Sequence, residues 1–464
     1  MISRREFIRL SAMAGMPLAG KNIHLLFGNS SIAPRTRIAK AKRVIWLHMA
    51  GGPSPLDLFD PKPELTKYDG KDCPAKYLEK ERFAFIKGTP QMLATPYSFK
   101  QHGDSGQWIS ELLPYTAKIA DKITVVRSLH TTQFNHAPAQ IFLATGHQSI
   151  GRPSMGSWLS WGLGSLNQDL PAYVVMTSGK FLPSGGSSCW SNGFLPSQHQ
   201  GVRLLKGNDP VLFLSNPEGT NKEKRRRILN ALKILNEERF KYHKDPETIA
   251  RINQYEMAYR MQDKFPEISD LRTESEETLK LYGVEPGKPS FATNCLLARR
   301  LAESGVRFVQ LFDWGWDSHG TGSHDDLVTS LPDQCRRTDK ACAALIMDLE
   351  RRGLLEDTIV IWGGEFGRTP MNEKRNGSTF LGRDHHPHAF TMWMAGGGFR
   401  KGFSYGATDE LGYWVAEKPM EVHDLHATLL HLLGINHKDF TYLHQGRDFR
   451  LTDVSGQIIK DLLA

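Results

Sequence analysis

The chain has 464 residues, of which 40% are hydrophobic and 23% charged, which suits a folded core and excludes wholesale disorder. The formal net charge of +8 resides in residues 1–43, where nine basic side chains face one acid, Glu6, and the rest of the chain is formally neutral. That balance speaks against a nucleic-acid partner, which needs a basic face, and no run of about 20 apolar residues offers an ordinary membrane span.

In chain order, Ser3-Arg4-Arg5-Glu6-Phe7-Ile8 comes first, followed by a mildly apolar, small-residue run from Leu10 to Gly20. This resembles a Tat-type export signal over residues 1–33, with a basic linker over 34–43. It implies the Tat export machinery as a partner and the periplasm or cell surface as the location. Ser31-Ile32-Ala33 has small residues at cleavage spacing, but Pro34 follows it, so an uncleaved signal acting as an anchor stays open.

Residues 44–464 read as one domain. Arg43–Met49 is a buried strand ended by Gly51-Gly52-Pro53, and further strands are predicted at Ile123–Ser128, Ala172–Met176, Val306–Phe312 and Thr358–Trp362. Helical patterns at 291–304 and 333–352 precede the last two. Short buried strands alternating with helices predict an α/β fold, with a doubly wound, mainly parallel sheet and helices on both faces. Residues 221–282 break the pattern as a charged helical insertion, with Leu229, Leu232, Ile234 and Leu235 as its apolar stripe. The five cysteines form no CxxC pair and are expected to be buried free thiols.

In such sheets ligands gather at the carboxyl ends of the strands. Four of the five predicted strand ends deliver acids or histidines: Asp57 and Asp60 follow the first, Asn135-His136 the second, and Asp317-Ser318-His319 the fourth. The fifth leads to Glu365, Arg368 and then Arg383-Asp384-His385-His386-Pro387-His388. Carboxylate oxygen with imidazole nitrogen suits zinc, manganese or a similar divalent ion, and the lack of thiolates disfavours a structural zinc. Asp317 and His319 lie two apart, as do His386 and His388, so each pair points one way in extended backbone. Arg368 or Arg383 offers a fork for an anionic oxygen.

Taken together, Gly51-Gly52-Pro53-Ser54, Asp60-Pro61-Lys62-Pro63, Asn135-His136, Trp316-Asp317-Ser318-His319, Gly364–Pro370 and Gly382–Pro387 resemble the DUF1501 family. That family lies in the alkaline phosphatase/sulfatase-like superfamily, and the resemblance spans about residues 43–464. It implies one or two divalent ions at the strand ends (zinc first, manganese or calcium as alternatives) and hydrolysis of phosphate or sulfate esters. It implies Glu365, Asp317 and His319 as metal ligands, with His386 or His388 as the late histidine ligand; the paired aspartates expected after the first strand are missing, and Asp57 or Asp60 would have to compensate from the loop. Counting back from Thr145-Gly146, His136 stands where sulfatases carry their modified cysteine, so a formylglycine mechanism is excluded by this register.

Two functions follow. The first is an exported metal-dependent ester hydrolase acting on an anionic small molecule or glycan ester. In it Arg368 and Arg383 stabilise the anion, a metal-activated water attacks, and His136, beside Asn135, serves as nucleophile, general base or another metal ligand. The second is a non-catalytic protein on the same fold that binds metal or anionic glycans.

Overall fold

The computed structural model describes residues 38–79, 81–179, 181–205 and 214–464. The twin-arginine segment and the first part of the basic linker lie outside the described residues. Among the described residues no helix is long and apolar enough to cross a membrane.

Nine strands make the main sheet. In chain order they are β1 (Arg43–Ala50), β2 (Ile123–His130), β3 (Tyr173–Ser178), β4 (Val202–Arg203), β5 (Phe308–Trp314), β6 (Thr358–Gly363), β7 (Phe390–Ala395), β8 (Phe403–Tyr405) and β9 (Met420–Glu421). Their spatial order is β8-β2-β7-β6-β1-β5-β3-β4, and β9 also pairs with β2. β1 is parallel to β5 and β6, and β3 is parallel to β5 and β4. Only β7 runs against its neighbours, β2 and β6. The parallel strands therefore end at one edge, and β7 begins at that same edge. The loop from Gly364 to Ala389 joins β6 to β7.

The long helices are α1 (His136–Thr145), α2 (Met155–Leu163), α3 (Lys222–His243), α4 (Pro246–Ser269), α5 (Phe291–Glu303), α6 (Ser330–Arg351) and α7 (Val422–Leu432). Side chains alternate along β1, so Ile45, Leu47 and Met49 enter one core and Val44 and Trp46 the other. α5 and α6 cover the first core through Leu296, Leu301, Leu345 and Ile346. α1, α2 and α7 cover the second through Leu143, Leu159 and Leu429. The fold is thus α/β, doubly wound on a mainly parallel sheet. All five cysteines are buried and free.

The insertion is helical, built from α3, α4 and a short helix at Glu276–Tyr282. Its expected apolar stripe divides. Leu229 is buried, whereas Leu232, Ile234 and Leu235 are exposed. The buried face of α3 instead joins Leu229 to Phe240, three turns further on.

Candidate metal centre

Three loops converge at the carboxyl edge of the sheet. The turn after β1 touches the Asp317 loop so closely that a Cβ on Gly51 would lie 2.6 Å from the Asp317 backbone nitrogen, and Gly51 has φ +123°. Only glycine serves there. The late loop approaches just as tightly, since a Cβ on Gly382 would lie 2.0 Å from the His319 carbonyl carbon. Arg368 fixes the junction. Its Nε donates to Gly52 O at 3.0 Å, its Nη1 to Arg383 O at 3.0 Å, and its Nη2 to Gly51 O and to Asp317 Oδ1.

His136, Asp317, His319 and His385 meet here, with donor atoms all within 4.8 Å of one another. Each imidazole is turned by an oxygen behind it. His136 Nδ1–H donates to Glu365 Oε1 at 2.7 Å, His385 Nδ1–H to Phe134 O at 2.7 Å, and His319 Nδ1–H to Glu373 Oε2. Acceptors at all three Nδ1 atoms leave three Nε2 lone pairs for the centre. His319 Nε2 and His385 Nε2 are 3.1 Å apart, and they lie 2.8 and 3.4 Å from Asp317 Oδ1. His136 Nε2 lies 3.2 Å from Asp317 Oδ2, yet it is buried and has no hydrogen-bond partner.

These separations fit a cation. Donors bound to zinc at about 2.0–2.1 Å in tetrahedral array sit about 3.3 Å from one another. Two imidazole lone pairs facing at 3.1 Å repel unless a proton or a metal ion lies between them. The nitrogen-rich donor set suits zinc far better than calcium, which takes oxygen ligands. Without an ion, the carboxylates favour a proton on His136. Burial opposes charge on His136, but Asp317 and Glu365 overcome it and raise its pKa to about 9. Burial also opposes charge on Asp317, but Arg368 and the three imidazoles hold it well below the usual carboxylate range. Glu365 is likewise lowered, against its burial, by His136 and His48. His385 goes the other way, as burial outweighs Asp317 and lowers it to about 4.

A family model described as "Protein of unknown function (DUF1501)" matches residues 41–463. The chain belongs to the DUF1501 family. No curated protein matches it. Among solved structures, this DUF1501 chain is similar to Ps i-CgsB, crystallised with k-i-k-neocarrahexaose, at 9% identity and TM-score 0.38, over 85% of this chain and 72% of that one. It is similar to the alkaline phosphatase of the Antarctic bacterium TAB5 at 10% identity and TM-score 0.34, over 86% and 100%. It is similar to the PsFucS1 sulfatase from Pseudoalteromonas sp. at 12% identity and TM-score 0.34, over 88% and 74%. At these values the chemistry has to be read from this chain's own residues.

Of the residues expected from sequence, the DUF1501 centre brings together Asp317, His319 and His136. Four expected ligands stand elsewhere. Glu365 is fully buried behind His136, where it also accepts from Gln140 Nε2 at 2.8 Å, from Gly51 N at 3.1 Å and from His48 Nε2 at 3.2 Å. It lies behind His136 and is not among the four converging donors. Asp57 is held by Arg383, Nε to Oδ2 at 2.8 Å and Nη2 to Oδ1 at 3.1 Å, with both side chains fully buried. His386 donates Nε2–H to Tyr413 O at 2.6 Å, and His388 lies 2.9 Å from Glu81 Oε2. The reason is strand parity. His385 and His386 form a two-residue antiparallel bridge with Gly367-Arg368, so they face opposite ways. His386 and His388 do share a side, with ring centroids 5.2 Å apart, but it is the other side.

Arg368 and Arg383 are not free for a substrate anion. Both are fully buried, and Arg383 also donates to Leu93 O and Thr369 O. Asn135 is the exposed N-cap residue of α1, immediately before His136. Sequence reasoning missed His385, Glu373 and His48. His385 stood inside the quoted motif, and a guess at the partner strand's register would have been needed to choose it over its neighbours. Glu373 carried no signal beyond its place in the same loop.

Proposed function

We propose that this chain is a metal-dependent hydrolase of phosphate or sulfate esters, with one divalent ion, zinc first, held by His136, Asp317, His319 and His385. The observation that carries the proposal is the convergence of three Nε2 atoms on one carboxylate, each imidazole fixed from behind. A bound ion of this kind supplies Lewis acidity towards an ester oxygen and towards water.

The chain's own residues do the rest. Glu365, Glu373 and the Phe134 carbonyl keep the protons on Nδ1, so that the Nε2 atoms stay available. Arg368 orients Asp317 and offsets its charge. Asp317 is the most open of the four, its side chain 25% exposed against 2% for His385, so solvent and substrate enter past it. A second group, His319, Glu373 and Asp384, shares His319. It is already engaged, because Glu373 holds His319 and Asp384 accepts from the backbone of Phe85, Ile86 and His385. This favours one ion over two. Export by a twin-arginine route belongs to the same proposal and rests on Ser3-Arg4-Arg5-Glu6-Phe7.

A second reading is favoured by the donor count, since four protein ligands complete a tetrahedral site of the structural kind. It is a non-catalytic protein that binds metal or an anionic glycan. The test is turnover of nitrophenyl phosphate mono- and diesters and sulfate by zinc-loaded protein, beside the Asp317→Asn variant. Turnover lost in Asp317→Asn supports the hydrolase. A zinc-loaded protein that hydrolyses none of them supports the binding protein.

A further inference from the structure

The helix α3 has two different faces. Leu229 and Phe240 are buried on one, and from that side Lys222 and Arg226 reach Asp263 and Glu256 of α4. The other face holds apolar side chains in water. Ile228 is 43% exposed, Leu232 36%, Leu235 65% and Tyr242 82%. Single exposed apolar residues are ordinary on a protein surface, but a continuous row of them is not. At about 100° and 1.5 Å per residue, these four fall on one side of the helix and make a line about 20 Å long.

Charge gathers on the same helix. From Lys222 to Lys244 the chain carries nine basic and three acidic side chains, although everything beyond residue 43 is neutral as a whole. Lys222 and Arg226 are matched by α4, Lys233 by Glu237, and Lys241 by Glu238, the acid of the outer face. Among the described residues, Lys224, Arg227 and Arg239 join no ion pair, and all three are exposed. By the same helical angles Lys224 heads the apolar line, Arg239 stands in it between Leu235 and Tyr242, and Arg227 runs beside it.

We propose that α3 docks on an anionic lipid surface. It lies flat, with Ile228, Leu232, Leu235 and Tyr242 at the boundary of headgroups and acyl chains and with Lys224, Arg227 and Arg239 among the phosphates. A lipid surface satisfies both halves of the face at once, since the apolar line leaves water while the cations meet anions. An acidic protein or a nucleic acid would use the cations and leave the line wet. A second copy pairing through this face would set like charge against like charge. Among the described residues no helix is long and apolar enough to cross a membrane, so α3 rests on the surface and does not span it.

The test is co-sedimentation of the full chain with phosphatidylcholine vesicles, with and without phosphatidylglycerol. The expected result is at least about tenfold stronger binding to vesicles that hold phosphatidylglycerol, weakened by added salt. Ile228→Ser/Leu235→Ser and Arg227→Gln/Arg239→Gln should each lower that affinity at least about fivefold. Both variants alter exposed side chains, and melting temperature and zinc content check that they fold. Residues 1–33 are themselves basic and apolar, so the variants decide: binding that neither weakens belongs to another part of the chain and overturns the proposal. Equal binding to both vesicles, or binding to neither, also overturns it. Loss in the arginine variant alone overturns it too, because the apolar line then takes no part. A dimer that Ile228→Ser/Leu235→Ser turns into a monomer, without vesicle binding, assigns the face to a second copy instead.

Discussion

His385 and His386 are adjacent and chemically identical, and their fates differ completely. His385 aims Nε2 at Asp317, while His386 spends its Nε2–H on a backbone carbonyl. The expected consequence is a split between neighbours: His385→Ala loses zinc, and His386→Ala retains it, by elemental analysis of the purified variants. Zinc lost equally from both would contradict the assigned parity. Glu365 acts one step further out. Glu365→Gln is expected to weaken zinc affinity about 10–100-fold, the usual cost of removing a carboxylate behind a ligating histidine. It should still bind zinc in excess metal, which a removed direct ligand would not allow so readily. His426 gives a residue-level test away from the centre. Its Nε2–H donates to Leu143 O at 2.8 Å, its Nδ1 has no partner, and burial pushes its pKa down to about 3. The unfolded value is about 6.5. Between the two the unfolded chain holds a proton that the folded chain does not. Stability is therefore full above about pH 6.5 and falls as pH drops towards about 3. His426→Gln keeps a donor and removes the titration, so denaturant titrations should show an acid limb shallower by about one proton.

The elements explain why these side chains meet. Parallel strands deliver their carboxyl ends to one edge, and the lone antiparallel strand β7 starts there, which returns the His385 loop to the same place. The strand ends were legible because each strand is a short apolar run closed by glycine or by a polar cluster, as at Leu47–Gly52 and Ile361–Gly364. β7 was not foreseen. Phe390–Ala395 is buried on both faces and follows no long helix, so neither alternation nor the βα rhythm marks it. Strand parity at His385 was hidden for a related reason, since a two-residue bridge has no periodicity of its own. The buried pair Asp57–Arg383 was misread because an acid and an arginine at a strand edge look the same whether they serve a ligand or each other. This pair ties the first loop to the late loop, and removing one partner leaves a buried charge. Asp57→Asn is expected to cost about 3–5 kcal/mol by denaturant unfolding. A loss below about 1 kcal/mol would be the size of an exposed pair and would contradict the burial.

At the scale of the molecule, the centre is a staple. Asp317 and His319 come from the loop after β5, His136 from the start of α1, and His385 from the loop before β7. An ion bound by all three adds its binding free energy to folding. Zinc at about 100 times its dissociation constant should stabilise the protein by about 2.7 kcal/mol, and a chelator should lower the melting temperature by the same linkage. The measurement that tests the central claim most directly is the zinc stoichiometry of the purified chain beside His385→Ala. One equivalent in the unaltered protein and none in the variant is the predicted result. No uptake by either, or one equivalent retained by the variant, would contradict a centre built on His136, Asp317, His319 and His385.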